Sequence, residues 1–367
     1  MDDWEYCQNA LPKVSRTFAL NIGVLRGSLH RSILTGYLFC RIVDTVEDAG
    51  RLDAGIKVKL LLEFARLLEN PAARTSGLAS WVEKCAAVDG SPNDLDLLSQ
   101  TTRVFNVFDS LPAVHKEKIV PAVVNMARGM AYFQRKFDAG GLTLLETENE
   151  LEEYCYFVAG CVGEMLCGLF FAAIPNLSPQ AREIMKRNAV SFGLGLQMTN
   201  ITKDFLTDRK RGWSYIPRTM ITGNGLTVDE FSSGQFVEKN LQVIKCLLRK
   251  TSGHLRDALT FTLAIPRREI SIRLFCIWPL WMAMETVAVL VNNRSLVHSE
   301  DPVKISRATV RKILRRTPFF CFSNFLLNRS FDNILKRCDC GAPPPFDFQN
   351  LQDRLSKIPL DPPALYA

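Results

Sequence analysis

The sequence predicts an all-α protein, and three observations carry that prediction. Apolar residues recur at three- and four-residue spacing along most of the chain, strand-like alternation is scarce, and Pro and Gly fall in short joints. The 367 residues are 47% hydrophobic and 23% charged. That is apolar material for a large core, and too much for a disordered chain.

The elements follow in order. Gly36 to Asp48 reads as a helix whose apolar residues Phe39, Ile42, Val43 and Val46 leave a polar stripe free. Leu60 to Leu68 (LLLEFARLL), Val120 to Phe133, Glu150 to Ala173 and Ala181 to Phe205 carry the same helical period. Asp89-Gly-Ser-Pro, Gly140-Gly141, Ile174-Pro-Asn-Leu-Ser-Pro and Gly223-Asn-Gly read as turns between helices. No internal repeat stands out. The expectation is one large domain of ten or more helices over residues 1–340. A Pro-rich tail over 341–367 then wraps the surface or frays.

Charge and cysteine usage exclude several classes. Forty-five Lys and Arg against 38 Asp and Glu leave +7, an excess suited to a polyphosphate or an anionic membrane surface. It is a weak nucleic-acid signal, so no nucleic-acid partner is expected. Eleven Cys is too sparse and odd a set for a disulfide scaffold. Cys155, Cys161, Cys167 and Cys276 sit in apolar runs as small buried hydrophobes. The close pair Cys338 and Cys340 is too isolated for a zinc site, and a reducing compartment is expected. The opening MDDWEYCQNA is acidic and polar, unlike a secretory signal or transit peptide.

Two runs have the length of a membrane span, Cys155 to Ile174 and Leu274 to Val291. Glu164 breaks the first, and Glu285 with Pro279 the second. A charged residue at the centre of a bilayer costs roughly 2.5–3.5 kcal/mol on insertion scales. Both are therefore read as buried helices. The expected location is cytoplasmic, at most peripheral to a membrane, with no transmembrane anchor in this chain.

Two acidic stripes carry the chemistry. Tyr37, Arg41, Asp44 and Asp48 are spaced four, three and four apart and share one helix face, with Glu47 beside Asp44. Carboxylates at i and i+4 repel by ~0.2–0.5 kcal/mol on a bare helix, so a cation between them is the natural complement. Asn200, Asp204 and Asp208 form a second stripe at strict four-residue spacing, with Gln197 above it and Lys203, Arg209, Lys210 and Arg211 alongside. Either stripe alone reads equally well as a solvated face. Two of them, each in an otherwise apolar helix, point to Mg²⁺, which takes a few carboxylates and fills its remaining positions with water and phosphate oxygens. Basic neighbours suit the phosphates themselves.

These motifs resemble the head-to-head trans-isoprenyl diphosphate synthases, the squalene/phytoene synthase family, and its squalene branch in particular. Asp44-Thr-Val-Glu-Asp48 is similar to the family's first aspartate-rich motif and Asn200 to Asp208 to its second. Ser15-Arg16-Thr17-Phe18, Tyr154 to Gly160 with Val162-Gly163, and Gly193 to Gln197 resemble further family runs, up to about residue 310. Phe275-Cys276 with Pro279 and Met282-Ala283, then Asn292-Asn293 and Lys304-Ile305, point to the squalene branch.

The resemblance implies a single large helical domain of the isoprenoid synthase type with a central cavity. It implies a transferase that joins two molecules of farnesyl diphosphate through presqualene diphosphate and reduces the product with NADPH. The alternative is a presqualene diphosphate synthase, or a non-reductive enzyme of the dehydrosqualene or phytoene type. Asp44, Glu47, Asp48, Asn200, Asp204 and Asp208 would hold Mg²⁺, and Tyr154 would act in the first half-reaction. Ser15, Arg16, Phe18, Tyr37, Arg41, Gln197, Asn200 and Arg211 would line the substrate. Arg16, Arg41, Lys203, Lys304 and Arg307 would contact NADPH, and a peripheral membrane contact would serve product release. Carbocation chemistry needs a dry wall; Phe18, Tyr37, Phe157, Phe170 and Phe275 are candidates whose ring faces favour positive charge, though each also reads as core. Trp213 stands where the family usually carries an arginine, with Arg211 two positions earlier. Ser306 stands where a basic residue follows Lys304-Ile305, with Arg307 next. No Gly-x-Gly-x-x-Gly follows a strand, so a Rossmann cofactor site is excluded.

Overall fold

A computed structural model describes residues 1–137, 143–210, 212–298 and 303–360. Its contacts fall into two compact units. The first comprises Met1–Asp138, Glu164–Leu177 and Ser356–Ala367; the second comprises Ala139–Gly163 and Ser178–Leu355.

In the first unit the helices are α1 (Asp3–Val14), α2 (Arg16–Ile22), α3 (Gly27–Glu47), α4 (Ala54–Glu69), α5 (Pro71–Lys84), α6 (Pro92–Ser99), α7 (Thr101–Asp109) and α8 (Ala113–Phe137). Local chemistry starts most of them. Asp2, Ser15, Asp53, Asn70 and Ser91 each accept a backbone N–H of the first turn, and Pro71 and Pro92 open α5 and α6. The core is aromatic. Phe39 of α3 meets Phe64, Phe105 and Phe108 at ring separations of 4.8–5.9 Å. Trp81 closes the cluster and donates its indole N–H to the Leu60 carbonyl at 2.9 Å. Burying the apolar side of α3 in this way fixes its rotation, and so fixes where Tyr37, Arg41 and Asp44 point.

The second unit opens with α9 (Glu148–Cys155) and a π turn at Tyr156–Gly160; α10 (Cys161–Ala173), which continues that helix, belongs from Glu164 onward to the first unit. Then come α11 (Pro179–Lys210), α12 (Arg218–Gly223), α13 (Val228–Ser233), α14 (Val237–Ala264), α15 (Ile270–Leu290), α16 (Ser295–His298), α17 (Arg307–Arg316), α18 (Asn324–Cys338) and α19 (Phe348–Leu355). Glycine lets two of these segments approach backbone to backbone. A Cβ on Gly163 would lie 2.1 Å from the Ala189 carbonyl oxygen, and one on Gly193 2.2 Å from that of Ala159. The sheet content among the described residues is one two-residue parallel pairing, Thr143 with Trp213 and Leu144 with Ser214. Arg273 is fully buried on α15 and donates to the Cys321 and Ile265 carbonyls at 2.6 Å and to Asn324 Oδ1 at 2.7 Å.

Every stretch expected to be helical lies in a helix, and the three described joints lie between helices. Gly140-Gly141 lies outside the described residues. Part of the Pro-rich tail is built into the second unit. Phe346 packs edge-on to His254 at 4.6 Å, and Arg354 of α19 reaches Glu152 of α9 at 2.5 Å. Both long apolar helices have the length and composition to cross a membrane. Half of the most apolar stretch of Glu148–Ala173, and 72% of that in Ile270–Leu290, is buried. Glu285 on the latter pairs with Arg337 at 2.7 Å. The described cysteines are all free, and all but Cys246 are buried.

Candidate active site

The first stripe gathers a polar cluster at one end of α3. Ser15 caps α2 close to the Tyr37 hydroxyl, and the Phe18 ring lies 4.9 Å from the Tyr37 ring. Burial pushes the Tyr37 hydroxyl up to about 12, so it stays protonated. One turn on, Arg41 forks onto Asp94, Nε to Oδ1 at 2.8 Å and Nη2 to Oδ2 at 2.9 Å. Ser91 donates to the same carboxylate at 2.6 Å. Ser15, Phe18, Tyr37, Arg41 and Asp44 thus come together; the spacing predicts this only for Tyr37, Arg41 and Asp44. Arg16, the first residue of α2, is exposed.

Asp44 is the electrostatically marked residue. Desolvation raises its carboxyl to about 7; Arg41 opposes that rise, while Asp48 and Asp94 add to it. A carboxylate crowded by two others and dried by its surroundings gains most from a bound cation. Asp48, just past the end of α3, is exposed. Glu47 points elsewhere. It is buried, near Gln134 of α8 and Lys57 of α4, whose Nζ donates to the Glu47 carbonyl at 2.8 Å. Its proton affinity is raised by burial first, then by Asp48 and Asp44. The inward turn sets Glu47 against a buried lysine, which distinguishes it from its two neighbours.

The second stripe lies near the end of α11. Asn200 is exposed, and Gln197, Asp204 and Asp208 are half-buried. Lys203 bridges the stripe, donating to Asn200 Oδ1 at 3.3 Å and pairing with Asp204 at 3.1 Å. Arg211 lies outside the described residues. Among the described residues no group of three His, Cys, Asp or Glu converges tightly enough to cage a metal. Mg²⁺ sites of the shared kind need no such cage, because one or two carboxylates suffice when phosphate oxygens and water complete the shell. The donor set fits Mg²⁺ on that ground, with oxygen ligands and no competing thiolate or imidazole in either stripe.

Tyr154 is buried on α9, two residues before the helix widens into the π turn, a feature frequent at functional sites. Its ring stacks on Tyr215 at 4.7 Å and 20°. The parallel pairing of Leu144 with Ser214 holds the segment that carries Tyr215. Lys250 and Arg354 clamp Glu152, two residues before Tyr154, at 2.6 and 2.5 Å. Phe157, Phe170 and Phe275 are buried. Lys304 and Arg307 are exposed around the start of α17, which Ser306 caps.

Sequence reasoning missed Asp94 and Tyr215. Ser91-Pro-Asn-Asp94 reads as an ordinary helix start, and its pairing with Arg41, 53 residues away, leaves no local trace. Tyr215 had a weak signal, an aromatic run Trp213-Ser-Tyr215 directly after the second stripe.

Comparison with known proteins gives these clusters a context. A squalene synthase of Eremothecium gossypii is 29% identical over 345 residues, which is 92% of this chain and 73% of that protein. Squalene synthase 1 of Arabidopsis thaliana is 30% identical over 318 residues, 86% of this chain and 71% of its own length. A solved complex of TcSQS with the ligand BPH1237 has the same fold, with a TM-score of 0.77 and 22% identity over 98% of this chain and 97% of that one. Residues 11–309 match the model of the squalene/phytoene synthases. That span takes in Ser15, both acidic stripes and Tyr154, and on this match the all-α chain belongs to the squalene/phytoene synthase family.

Proposed function

We propose that this protein is a Mg²⁺-dependent squalene synthase, which condenses two farnesyl diphosphates head to head to presqualene diphosphate and reduces that to squalene with NADPH. The observation that carries the reading is Asp44, a desolvated carboxylate raised to about 7 between Asp48, Asp94 and a fixed Arg41. Its relatives across fungi and plants are squalene synthases.

Mg²⁺ held by Asp44 and Asp48, and by Asn200, Asp204 and Asp208, would draw charge off the diphosphates and so favour C–O ionisation. Arg41 supplies a fixed cation for a diphosphate oxygen, with Asp94 holding the guanidinium so that little entropy is lost on binding. Tyr37 and Ser15 add hydroxyl donors at the same end of α3. Tyr154 presents a phenol whose orientation is set by the Tyr215 ring. It can pass a proton to or from a diphosphate oxygen, and the paired rings offer π faces to a cation. Phe157, Phe170 and Phe275 exclude water that would quench such a cation to an alcohol. NADPH would supply hydride in the second half-reaction, its phosphates contacted by Arg16, Arg41, Lys203, Lys304 and Arg307. We assign the enzyme to the cytoplasm with peripheral membrane contact, and residues 1–340 to catalysis.

The test is one incubation of purified protein with farnesyl diphosphate and Mg²⁺, split with and without NADPH and analysed by gas chromatography and mass spectrometry. Squalene that forms only with NADPH is the expected result. Presqualene diphosphate or dehydrosqualene in both samples would keep the metal stripes and remove the reductive half.

A further inference from the structure

The chain's charge is concentrated in one place. Residues 303–331 hold Lys304, Arg307, Arg311, Lys312, Arg315, Arg316 and Arg329 and no Asp or Glu, so this stretch equals the +7 of the whole protein. All seven are exposed, and none forms an ion pair with a described residue. Seven unpaired cations along 29 residues repel one another, an arrangement that costs stability unless something anionic offsets it.

The same stretch turns its aromatic side chains outward. Phe319 is 79% exposed, Phe325 70%, Phe322 50% and Leu326 41%. The corner that carries them is rigid. The Thr317–Phe319 turn ends α17, Ser323 caps α18, and Ile313, Cys321, Leu327 and Phe331 point inward as anchors. Lys312 and Arg316 of α17 and Arg329 of α18 line a cavity of about 730 Å³ that Phe319 and Leu326 also border. Arg337 stands at the same cavity, already paired to Glu285. Apolar tips ringed by unpaired cations are therefore adjacent in space as well as in sequence.

We propose that the corner between α17 and α18 docks the protein on an anionic phospholipid bilayer. Phe319, Phe322, Phe325 and Leu326 would enter the interface, and Arg311, Lys312, Arg315, Arg316 and Arg329, none of them assigned to the cofactor, would pair with lipid phosphates. Charge complementarity selects this occupant. A second copy would present the same seven cations and repel, and an apolar protein groove would leave those cations unanswered. Aromatic tips that sit at headgroup depth beside Lys and Arg are the composition that an interface favours. The surface makes no use of the acidic stripes. Docking holds whatever reaction the protein catalyses, although a hydrocarbon product would find its solvent in the same bilayer.

The test is cosedimentation of the full chain with vesicles, without substrate, so that a failed catalytic reading leaves it unaffected. Vesicles of phosphatidylcholine with about one-third phosphatidylserine should bind, pure phosphatidylcholine should bind about tenfold less, and added salt should release the protein. Phe319→Ser with Phe322→Ser and Phe325→Ser should weaken binding about tenfold, and Arg311→Glu with Arg315→Glu should do the same and flatten the salt dependence. These side chains are exposed, and unchanged circular dichroism and melting confirm that each variant is folded. No binding of the wild type, or equal binding by folded variants, would overturn the proposal. So would a wild-type dimer that the phenylalanine variant renders monomeric. An NADPH KM raised about tenfold in the arginine variant with vesicle binding intact would give these arginines to the cofactor instead.

Discussion

Arg41 and Asp94 meet fork to fork, with N···O distances of 2.8 and 2.9 Å, one helical turn from Asp44. The pair does two jobs. It fixes a guanidinium that would otherwise sweep through many rotamers, and it sets a second negative charge near the Asp44 carboxyl. Asp94→Asn should therefore cost about 1–3 kcal/mol of stability, because it removes a charge-assisted pair. It should also raise the KM for farnesyl diphosphate by about tenfold through the loosened Arg41. Steady-state kinetics beside urea denaturation separates the two effects. A KM equal to wild type would show that Arg41 does not touch substrate.

The metal reading is tested at Asp48, which is exposed, and at Asp204, which is half-buried. Asp48 and Asp204 carry little of the fold, so Asp48→Asn or Asp204→Asn should melt like wild type while turnover falls by about 10²–10³-fold or more. Product formation across a Mg²⁺ titration checks this. Turnover within a factor of about two of wild type in either variant would refute the metal role of that residue's stripe.

The glycine crossing makes a prediction about folding alone. At Gly163 and Gly193 a methyl group would meet backbone oxygen at 2.1 and 2.2 Å, and neither carbonyl can move without bending its helix. Gly163→Ala and Gly193→Ala should each destabilise by about 1–3 kcal/mol or more. The urea midpoint reads this directly, and an unchanged midpoint in both would mean that the segments separate at little cost.

Acid sensitivity should trace in part to His254. The imidazole is buried, within 3.3 Å of Ser191 Oγ, and burial with nearby Lys250 lowers its pKa from 6.5 to about 3. Between those values the unfolded chain binds a proton that the folded chain refuses, so stability is full above pH 6.5 and declines as pH falls toward 3. The slope from this group is about 1.4 kcal/mol per pH unit. Asp257, raised by burial and bonded to the same Ser191, acts in the opposite sense at the acid end. Urea midpoints for the wild type and His254→Gln from pH 7 to about pH 4 should converge as pH falls, because the substitution removes the titration. Parallel curves would exclude His254 as the acid-sensitive group.

What the sequence shows locally is helical period. The apolar period of the Gly27–Glu47 and Pro179–Lys210 helices is a repeat of three to four residues, and the acidic stripes ride on that same repeat. A stripe at i, i+4 and i+8 is a statement about one helix and needs no knowledge of its neighbours. Glu47 marks the limit of such reading. It lies three residues after Asp44, a helix neighbour as near as Asp48 is at four, yet it turns to Gln134 and Lys57. Which side of a helix faces the core depends on helices far along the chain.

The sequence by itself determined the all-α class, the positions of most helices and the two acidic stripes. Each rests on short-range periodicity or composition, which neighbouring residues specify. The tertiary structure decided which partners those residues meet: Asp94 for Arg41, Tyr215 for Tyr154, and Lys57 for Glu47. It also decided that Phe331 would be buried while Phe319, twelve residues earlier, stands in solvent. Those outcomes depend on long-range packing, where a side chain's environment is set by which distant surfaces exclude water around it.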